Sequence, residues 1–364
     1  MNKNERILIA AGGTGGHVFP GCNLASHLSG NNFKVKLTTD KRGFKFLEKF
    51  NYLDISVLPS FPFLKKNIFK TFYSLCLILY SVLRSLIFLI FYRPNIIIGM
   101  GGYASFPICA AAIILKKKFV IYENNLIIGK ANKYLLPFAY KILVSNHNVE
   151  GIPNKYNSKL IEIGNIIKKE FINTAEIKTE KKFEKLKILI LGGSQAAKVF
   201  GESLPKVIKQ CSNYGIPIKI YQQCMPHQLN DIRIFYENAK IENQVFNFDE
   251  NLAELFSKVN FAITRSGSSI LAELTNSNIP FIAVPLPSSA DDHQLKNAIY
   301  YKSKKFAFLI EEKELIDKLF PFITKVYEDK SILNNVVQNQ RQFSDKNVYN
   351  NIDRLLKKIL DEKN

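Results

Sequence analysis

Cysteine is scarce and scattered. The chain has five in 364 residues (Cys22, Cys76, Cys109, Cys211 and Cys224), with no C-x-x-C pair among them. That argues against a disulfide frame and a cysteine zinc site, and it fits a reducing compartment. The polar start, Met1 to Arg6, predicts no secretory leader. Acidic residues are few in the first half. Residues 1–165 carry 21 Lys+Arg against 7 Asp+Glu, so +14 of the +19 net charge lies there. Excess positive charge on one half points to a polyanionic partner, a nucleic acid or an anionic membrane surface. Part of the excess also follows from a composition rich in Lys, Asn and Ile. The cations are not interleaved with aromatics and no nucleic-acid module fits, so nucleic acid is not the expected partner. There is no G-x-x-x-x-G-K-[ST] loop, Ser-His-Asp set or C₂H₂ pattern.

A long uninterrupted apolar run is also missing. Residues 64–92 are the most apolar part of the chain, yet Arg84 interrupts them and the longest charge-free stretch, Thr71 to Leu83, has 13 residues. A spanning helix needs about 20 apolar residues. Lys66, Lys70, Ser74, Ser81 and Ser85 share one helical stripe, and the remaining surface is Leu, Ile, Phe and Tyr. The expected element is a membrane-surface helix with a narrow polar edge and a broad greasy face, its cations reaching lipid phosphates. A helix buried against a sheet and a true span are the other two readings.

The chain is 47% hydrophobic and long enough for two domains. Four apolar runs end in glycine and small polar residues: 6–16, 95–105, 187–197 and 260–270. The first and third start about half a chain apart. This pattern predicts two α/β domains with Gly-rich loops at the C-terminal ends of parallel strands, and a cleft into which both sets of strand ends point. The first run, "RILIAAGGTGGHVFPG", predicts a strand over Ile7 to Ala11 and a helix from about Gly21 to Leu28. Val18 stands where a dinucleotide fingerprint would have its third glycine, so the loop reads either as an anion site or as a tight turn. The stretch 168–187 is polar and reads as a linker. The tail, 349–363, reads as an amphipathic helix with Ile352, Leu355, Leu356, Ile359 and Leu360 on one side.

The later loops carry the polar chemistry. "GGSQAA" offers backbone N–H groups with Ser194 and Gln195 at a helix start, suited to a phosphate without a lysine. In "RSGSSILAEL", Gly267 and Ser268 open a helix and Glu273 follows about two turns in, either to accept ribose hydroxyls or as a solvated residue. In "PLPSSADDHQLKNA", Gln294 and Asn297 suit sugar hydroxyls. Ser289 or Asp291 suits a helix cap, and Asp291, Asp292 and His293 make only a weak metal pattern. After another apolar run come Glu123, Asn124 and Asn125, for an acceptor hydroxyl or an Asx turn.

Taken together, "GGTGGHVFPG", "GMGGYASFP", "GGSQAA", "RSGSSILAEL" and "PLPSSADDHQLKNA" resemble, in order and spacing, the N-acetylglucosaminyltransferases of bacterial peptidoglycan synthesis, the MurG family. The resemblance covers nearly the whole chain. It implies a GT-B fold: two Rossmann-like, doubly wound domains facing a central cleft. Its implied divisions are an acceptor and membrane-associating domain (1–165), a linker (166–186), a UDP-GlcNAc-binding domain (187–345) and a C-terminal helix (346–364) packing back on the first domain. It implies inverting, metal-independent transfer of GlcNAc from UDP-GlcNAc to the muramyl 4-hydroxyl of lipid I, with no cofactor. The implied location is the cytoplasmic face of the inner membrane, held peripherally through residues 64–92, with other cell-wall or division proteins as further partners.

By position, the resemblance gives His17 the role of catalytic base. Thr14, Gly15, Gly16, Asn125, Lys168, Ser194, Gln195, Ser268, Ser269, Glu273 and Gln294 become donor-binding residues. Gly101, Gly102 and Tyr103 face the acceptor. There are departures. The family's Gly-Asn-Pro-x-Arg hinge is "GNIIK" here, so Ile166 replaces the proline and Lys168 the arginine. Ala196 replaces a glycine, and "ENNL" replaces the commoner "EQNG".

Overall fold

The computed structural model describes residues 5–48, 50–63, 67–172, 184–193, 198–247 and 251–362. Two compact units divide it, residues 1–167 with 346–364, and residues 168–345. The first runs β1 (Arg6–Ala10), α1 (Gly15–Gly30), β2 (Lys34–Thr39), α2 (Lys41–Phe44), β3 (Ile55–Val57), α3 (Ile68–Tyr92), β4 (Ile96–Gly99), α4 (Gly102–Ile114), β5 (Phe119–Glu123), α5 (Lys130–Leu135), β6 (Lys141–Val144) and β7 (Leu160–Glu162). The second runs α6 (Lys169–Ile172), β8 (Leu186–Leu191), α7 (Lys198–Asn213), β9 (Ile218–Gln223), α8 (Leu229–Asn238), β10 (Glu242–Phe246), α9 (Leu252–Lys258), β11 (Phe261–Arg265), α10 (Ser268–Asn276), β12 (Phe281–Val284), α11 (His293–Ser303), β13 (Phe308–Leu309), α12 (Leu315–Glu328) and α13 (Ser331–Gln340). The last helix, α14 (Val348–Asp361), belongs to the first unit.

Each unit is a parallel sheet with the same winding. The first sheet has the order β3-β2-β1-β4-β5-β6-β7 and the second β10-β9-β8-β11-β12-β13. Counted within its unit, each begins 3-2-1-4-5-6, the doubly wound order. Strands such as "IIIG" and "FVIYE" are buried along their whole length because helices cover both faces of a parallel sheet. The order reverses between β1 and β4, and again between β8 and β11. In such sheets ligands bind beyond the C-terminal strand ends at that reversal, where all four glycine-terminated runs end.

Several local expectations need correction. Helix α1 starts at Gly15, six residues before the expected Gly21, and contains Pro20. A proline there cannot donate to the carbonyl of Gly16. The side-chain amide of Asn124 donates to that carbonyl instead, at 2.9 Å. The stretch 168–187 is not wholly linker. Phe171 and Ile172 are buried, Phe171 packs on Phe256 at 4.9 Å, and Leu186 opens β8 in the core. Residues 173–183 of that stretch lie outside the described residues.

The structure also gives the apolar segment an orientation. α3 has 25 residues and, by length and composition, is apolar enough to cross a membrane. It packs along α4, and its buried face holds Ser74, Ser81, Val82, Ser85 and Leu89. The serine stripe therefore faces the protein. Each hydroxyl is satisfied within the helix: Ser74 donates to Thr71, Ser81 to Leu77 and Ser85 to Ser81, all at 2.8 Å. Small side chains let α3 lie close to α4, whose facing side supplies Ile108, Ala111 and Ala112 to the same cluster. The greasy face points away. Phe69, Phe72, Leu79, Leu83 and Phe91 are exposed, as are Lys70 and Arg84. Lys66 lies outside the described residues.

α14 lays Tyr349, Ile352, Leu356 and Ile359 into the first unit. Its Asp353 pairs with His27 at 2.9 Å, and the Tyr349 hydroxyl donates to the carbonyl of Ile167 at 2.6 Å.

The α3 packing makes a prediction. Ser85→Leu enlarges a fully buried side chain on the face packed along α4 and should destabilise the protein by roughly 1–3 kcal/mol. Leu79→Ser on the outer face should change stability by less than about 0.5 kcal/mol. Urea unfolding of the two variants in detergent-free buffer checks both.

Candidate active site

In the first unit, the loops after β1, β4 and β5 meet at neighbouring strand ends. Gly13, at φ 82°, turns the first loop, and Thr14 in extended geometry precedes the first turn of α1. Gly15, Gly16 and His17 form that turn; the His17 amide donates to the Thr14 carbonyl at 3.1 Å, and the amides of Gly15 and Gly16 come before the first helical acceptor. The His17 ring lies on the second loop. A Cβ added to Gly101 would come 3.1 Å from its Cε1, and one added to Gly102 would come 2.9 Å from its Cδ2. Both glycines also have positive φ, 89° and 71°, so no other residue serves at either position. Thr14 to His17 and Gly101 to Tyr103 are thus one constellation.

Tyr103 opens α4 and donates its hydroxyl proton to Asp40 at 3.0 Å while accepting from Arg42 at 2.9 Å. Burial and the Asp40 carboxylate push the phenol up to about 12, so it stays protonated near neutral pH. Asn125 follows β5. Its backbone and side-chain N–H groups donate to Glu123, at 3.1 and 3.2 Å, and its side chain also donates to Asn124. Glu123 further accepts from the Gly129 amide and from Asn132, at 2.9 and 3.0 Å. This buried carboxylate shapes the Asn125 loop, a part that the residue pattern, which names Glu123, does not assign to it.

In the second unit, Gly192 donates to Gln223 at 3.1 Å and Gly193 turns at φ 80°. Ser194 and Gln195 lie outside the described residues. α10 starts at Ser268 behind Gly267, with Ser268 buried and Ser269 partly exposed. Glu273 is partly buried in the second turn, with Lys168 and Glu170 as charged neighbours. Desolvation pushes its carboxyl up to about 8; Lys168 opposes this and Glu170 adds to it. The Lys168 ammonium also pairs with Glu170 at 3.2 Å.

Gln294 starts α11, and its side-chain oxygen accepts from the Leu286 amide at 3.0 Å, which braces the proline-rich loop. Asn297 does not face a ligand. It is buried and donates to the Ser266 carbonyl at 3.1 Å. Asp292 caps α11 without a side-chain bond, while the Ser289 hydroxyl accepts from the Gln294 amide at 3.4 Å. Among the described residues no three His, Cys, Asp or Glu side chains gather as a metal set. Arg265 is a second part the pattern did not single out. It is buried over the Phe200 ring at 4.7 Å, pairs with Glu312, and donates to the carbonyls of Val284 and Pro285. It thereby ties the ends of β11 and β12 together.

Comparison with known proteins gives a consistent picture. Residues 7–144 match the glycosyltransferase family 28 N-terminal domain and residues 187–354 its C-terminal domain. The chain is 32% identical over 361 residues, 99% of each chain, to the UDP-N-acetylglucosamine--N-acetylmuramyl-(pentapeptide) pyrophosphoryl-undecaprenol N-acetylglucosamine transferase of Pelagibacter ubique (strain HTCC1062). It is 31% identical over 338 residues to the protein of the same name in Rickettsia canadensis (strain McKiel), covering 90% of this chain and 94% of that one. The crystal structure of Acinetobacter baumannii MurG superposes with a TM-score of 0.77 at 24% identity, over 97% of this chain and 99% of that one.

The raised Glu273 carboxyl has a measurable consequence. The folded state holds the proton up to about pH 8, whereas the unfolded chain releases it near 4.5. The stability this proton confers is present below about pH 4.5 and is lost as pH rises toward 8. Glu273→Gln should therefore melt higher than the parent at pH 8, with the gap closing toward pH 4.5. Thermal melts across that range give the answer, and a pH-independent gap would contradict the assignment.

Proposed function

The chain belongs to glycosyltransferase family 28, and we propose that it transfers N-acetylglucosamine from UDP-N-acetylglucosamine to undecaprenyl-diphospho-MurNAc-pentapeptide, lipid I, forming lipid II. The observation that carries this is the likeness to the Pelagibacter ubique transferase along 99% of both chains. The GT-B fold of two Rossmann-like domains supports it, as does the set of glycine loops at each sheet's reversal point.

The reaction proposed is one in-line displacement. The muramyl 4-hydroxyl attacks the anomeric carbon, the bond from that carbon to the UDP oxygen breaks, and the configuration inverts. The hydroxyl proton passes to His17. Its ring lies against Gly101 and Gly102 at the first turn of α1, beside the loop read as facing the acceptor. The bonding electrons leave on UDP. On this reading the amides opening α10 and the Lys168 ammonium would balance that charge without a divalent metal. Ser268, Ser269 and Glu273 hold the nucleoside, and Gln294 with Asn125 the sugar. Ser194 and Gln195 would hold the diphosphate. Gly101, Gly102 and Tyr103 receive the acceptor, with the first loop at the diphosphates.

Labelled GlcNAc should pass from UDP-GlcNAc to a short-chain lipid I analogue in the presence of EDTA. His17→Ala should lower kcat by roughly 10²–10⁴-fold at saturating substrates. Near-parental turnover would remove His17 as the base, and UDP-GlcNAc binding without transfer would favour a non-catalytic nucleotide-binding role.

The proposed location is the cytoplasmic face of the inner membrane, held peripherally. The support is the outward apolar face of α3 with Lys70 and Arg84 beside it, on the half of the chain that carries most of the positive charge. Phe72, Leu79 and Leu83 are each at least half exposed on that face. Changing all three to serine should weaken sedimentation with phosphatidylglycerol-rich vesicles by more than about tenfold. Transfer to the short-chain, water-soluble acceptor should stay at the parental rate. Unchanged vesicle binding would point the search for a docking face elsewhere.

A further inference from the structure

We propose that Asp40 is the positioning residue of the first unit's glycine loops, holding the peptide of Gly13 and the hydroxyl of Tyr103 in one arrangement that receives the acceptor. The functional half of this rests on the reading of those loops as the lipid I site.

Asp40 follows β2 and is 4% exposed. Its Oδ1 accepts from the Gly13 amide at 2.8 Å and from the Gly43 amide at 2.9 Å. Its Oδ2 accepts from the Tyr103 hydroxyl at 3.0 Å. One carboxylate thus joins three segments that lie far apart in the chain or turn at its own helix start. Such charge-assisted bonds are the strong ones. The neighbouring glycines pack closely around it. A Cβ at Gly12 would lie 2.6 Å from the Ala104 Cβ and 2.7 Å from Oδ1, and one at Gly43 would meet the Thr39 hydroxyl and the Gly12 Cα before reaching Oδ1 at 3.0 Å. The carboxylate is one wall of a crowded site that leaves no room for either Cβ.

Two consequences follow. The Gly13 amide points inward at Asp40, so it is a structural donor and does not serve the ligand. With the Thr14 amide on the Gly12 carbonyl and the His17 amide on the Thr14 carbonyl, the donors this loop offers a ligand are the amides of Gly15 and Gly16. On the other side, the Tyr103 hydroxyl donates to Asp40 and accepts from Arg42, whose guanidinium lies 5.6 Å from the ring centre. Asp40 therefore sets where both the tyrosine and the exposed arginine stand at the mouth of the second loop. Asp40 touches no substrate in this scheme and acts through these groups.

The two arms separate by substitution. Asp40→Asn keeps an oxygen for the two amides, but its NH₂ cannot accept the tyrosine proton. Tyr103→Phe removes the same arm from the other end. Each should raise KM for a short-chain lipid I analogue by about fivefold, the loss of one hydrogen bond. KM for UDP-GlcNAc should stay within about twofold, and the double variant should be no worse than the poorer single one. Amide hydrogen exchange should show Gly13 still protected in Asp40→Asn and exposed in Asp40→Ala. Equal rises in both KM values, effects that multiply in the double variant, or a Gly13 amide equally protected in Asp40→Ala would each overturn the proposal. If the parent protein transfers nothing to the analogue, the functional reading fails, and the exchange comparison still decides whether Asp40 holds Gly13.

Discussion

The His17 imidazole rests on bare backbone, and the first unit's site depends on that contact. Helix α1 can deliver the ring to the end of β4 only because Gly101 and Gly102 carry no side chains there. The same glycines take positive φ, which lets the second loop turn into α4 without strain. Two neighbouring helix starts are thereby brought side by side. A substitution at either glycine would push the ring and twist the loop together. The early start of α1 belongs to the same constraint. With Pro20 in the helix, the Gly16 carbonyl needs an outside donor, and Asn124 supplies it from the end of β5. Three successive strand ends are tied to one turn.

Much of this was legible in the residues. Each glycine-terminated apolar run is a strand with a loop at its C-terminal end, and the repeated winding of the two sheets accounts for the half-chain repeat. Helix limits were less legible. A run of Gly-Gly-His-Val-Phe-Pro has poor helix propensity, and the tertiary bond from Asn124 overrides it. The braces were less legible still. Asp40 and Arg265 act through partners up to 65 residues away, so no local spacing marks them, whereas Glu123 braces residues two to nine places on. Asp40 stands at a strand end and caps the short helix that follows, through the Gly43 amide. That it also holds two other loops is a property of the folded sheet.

The apolar helix shows how periodicity finds a stripe without saying which way it faces. A serine stripe on a greasy helix would face water on a soluble protein. Here it faces α4, because serine is small and its hydroxyl closes back on its own helix. Packing then selects for size where polarity would have selected the opposite face. Large apolar side chains are left outside, at a density that isolated surface residues do not reach. That outward apolar face is the observation on which the proposed membrane contact rests.

The departures from the family's hinge have physical accounts of their own. Where a proline is usual, Ile166 brings an N–H that proline lacks, and the Tyr122 hydroxyl accepts it at 3.2 Å. That hydroxyl donates in turn to the Gly164 carbonyl at 3.2 Å. The turn is held by two hydrogen bonds where a ring would hold it by a fixed φ. At Lys168 the charge survives and the guanidinium fork does not. A point charge still opposes the desolvation of Glu273, but that carboxyl remains up at about 8. Near neutral pH it therefore keeps its proton. On the proposed reading it then meets the ribose diol with one O–H to donate and one oxygen to accept. A pair of vicinal hydroxyls can satisfy both, and the buried site is spared an unpaired charge while the donor is absent.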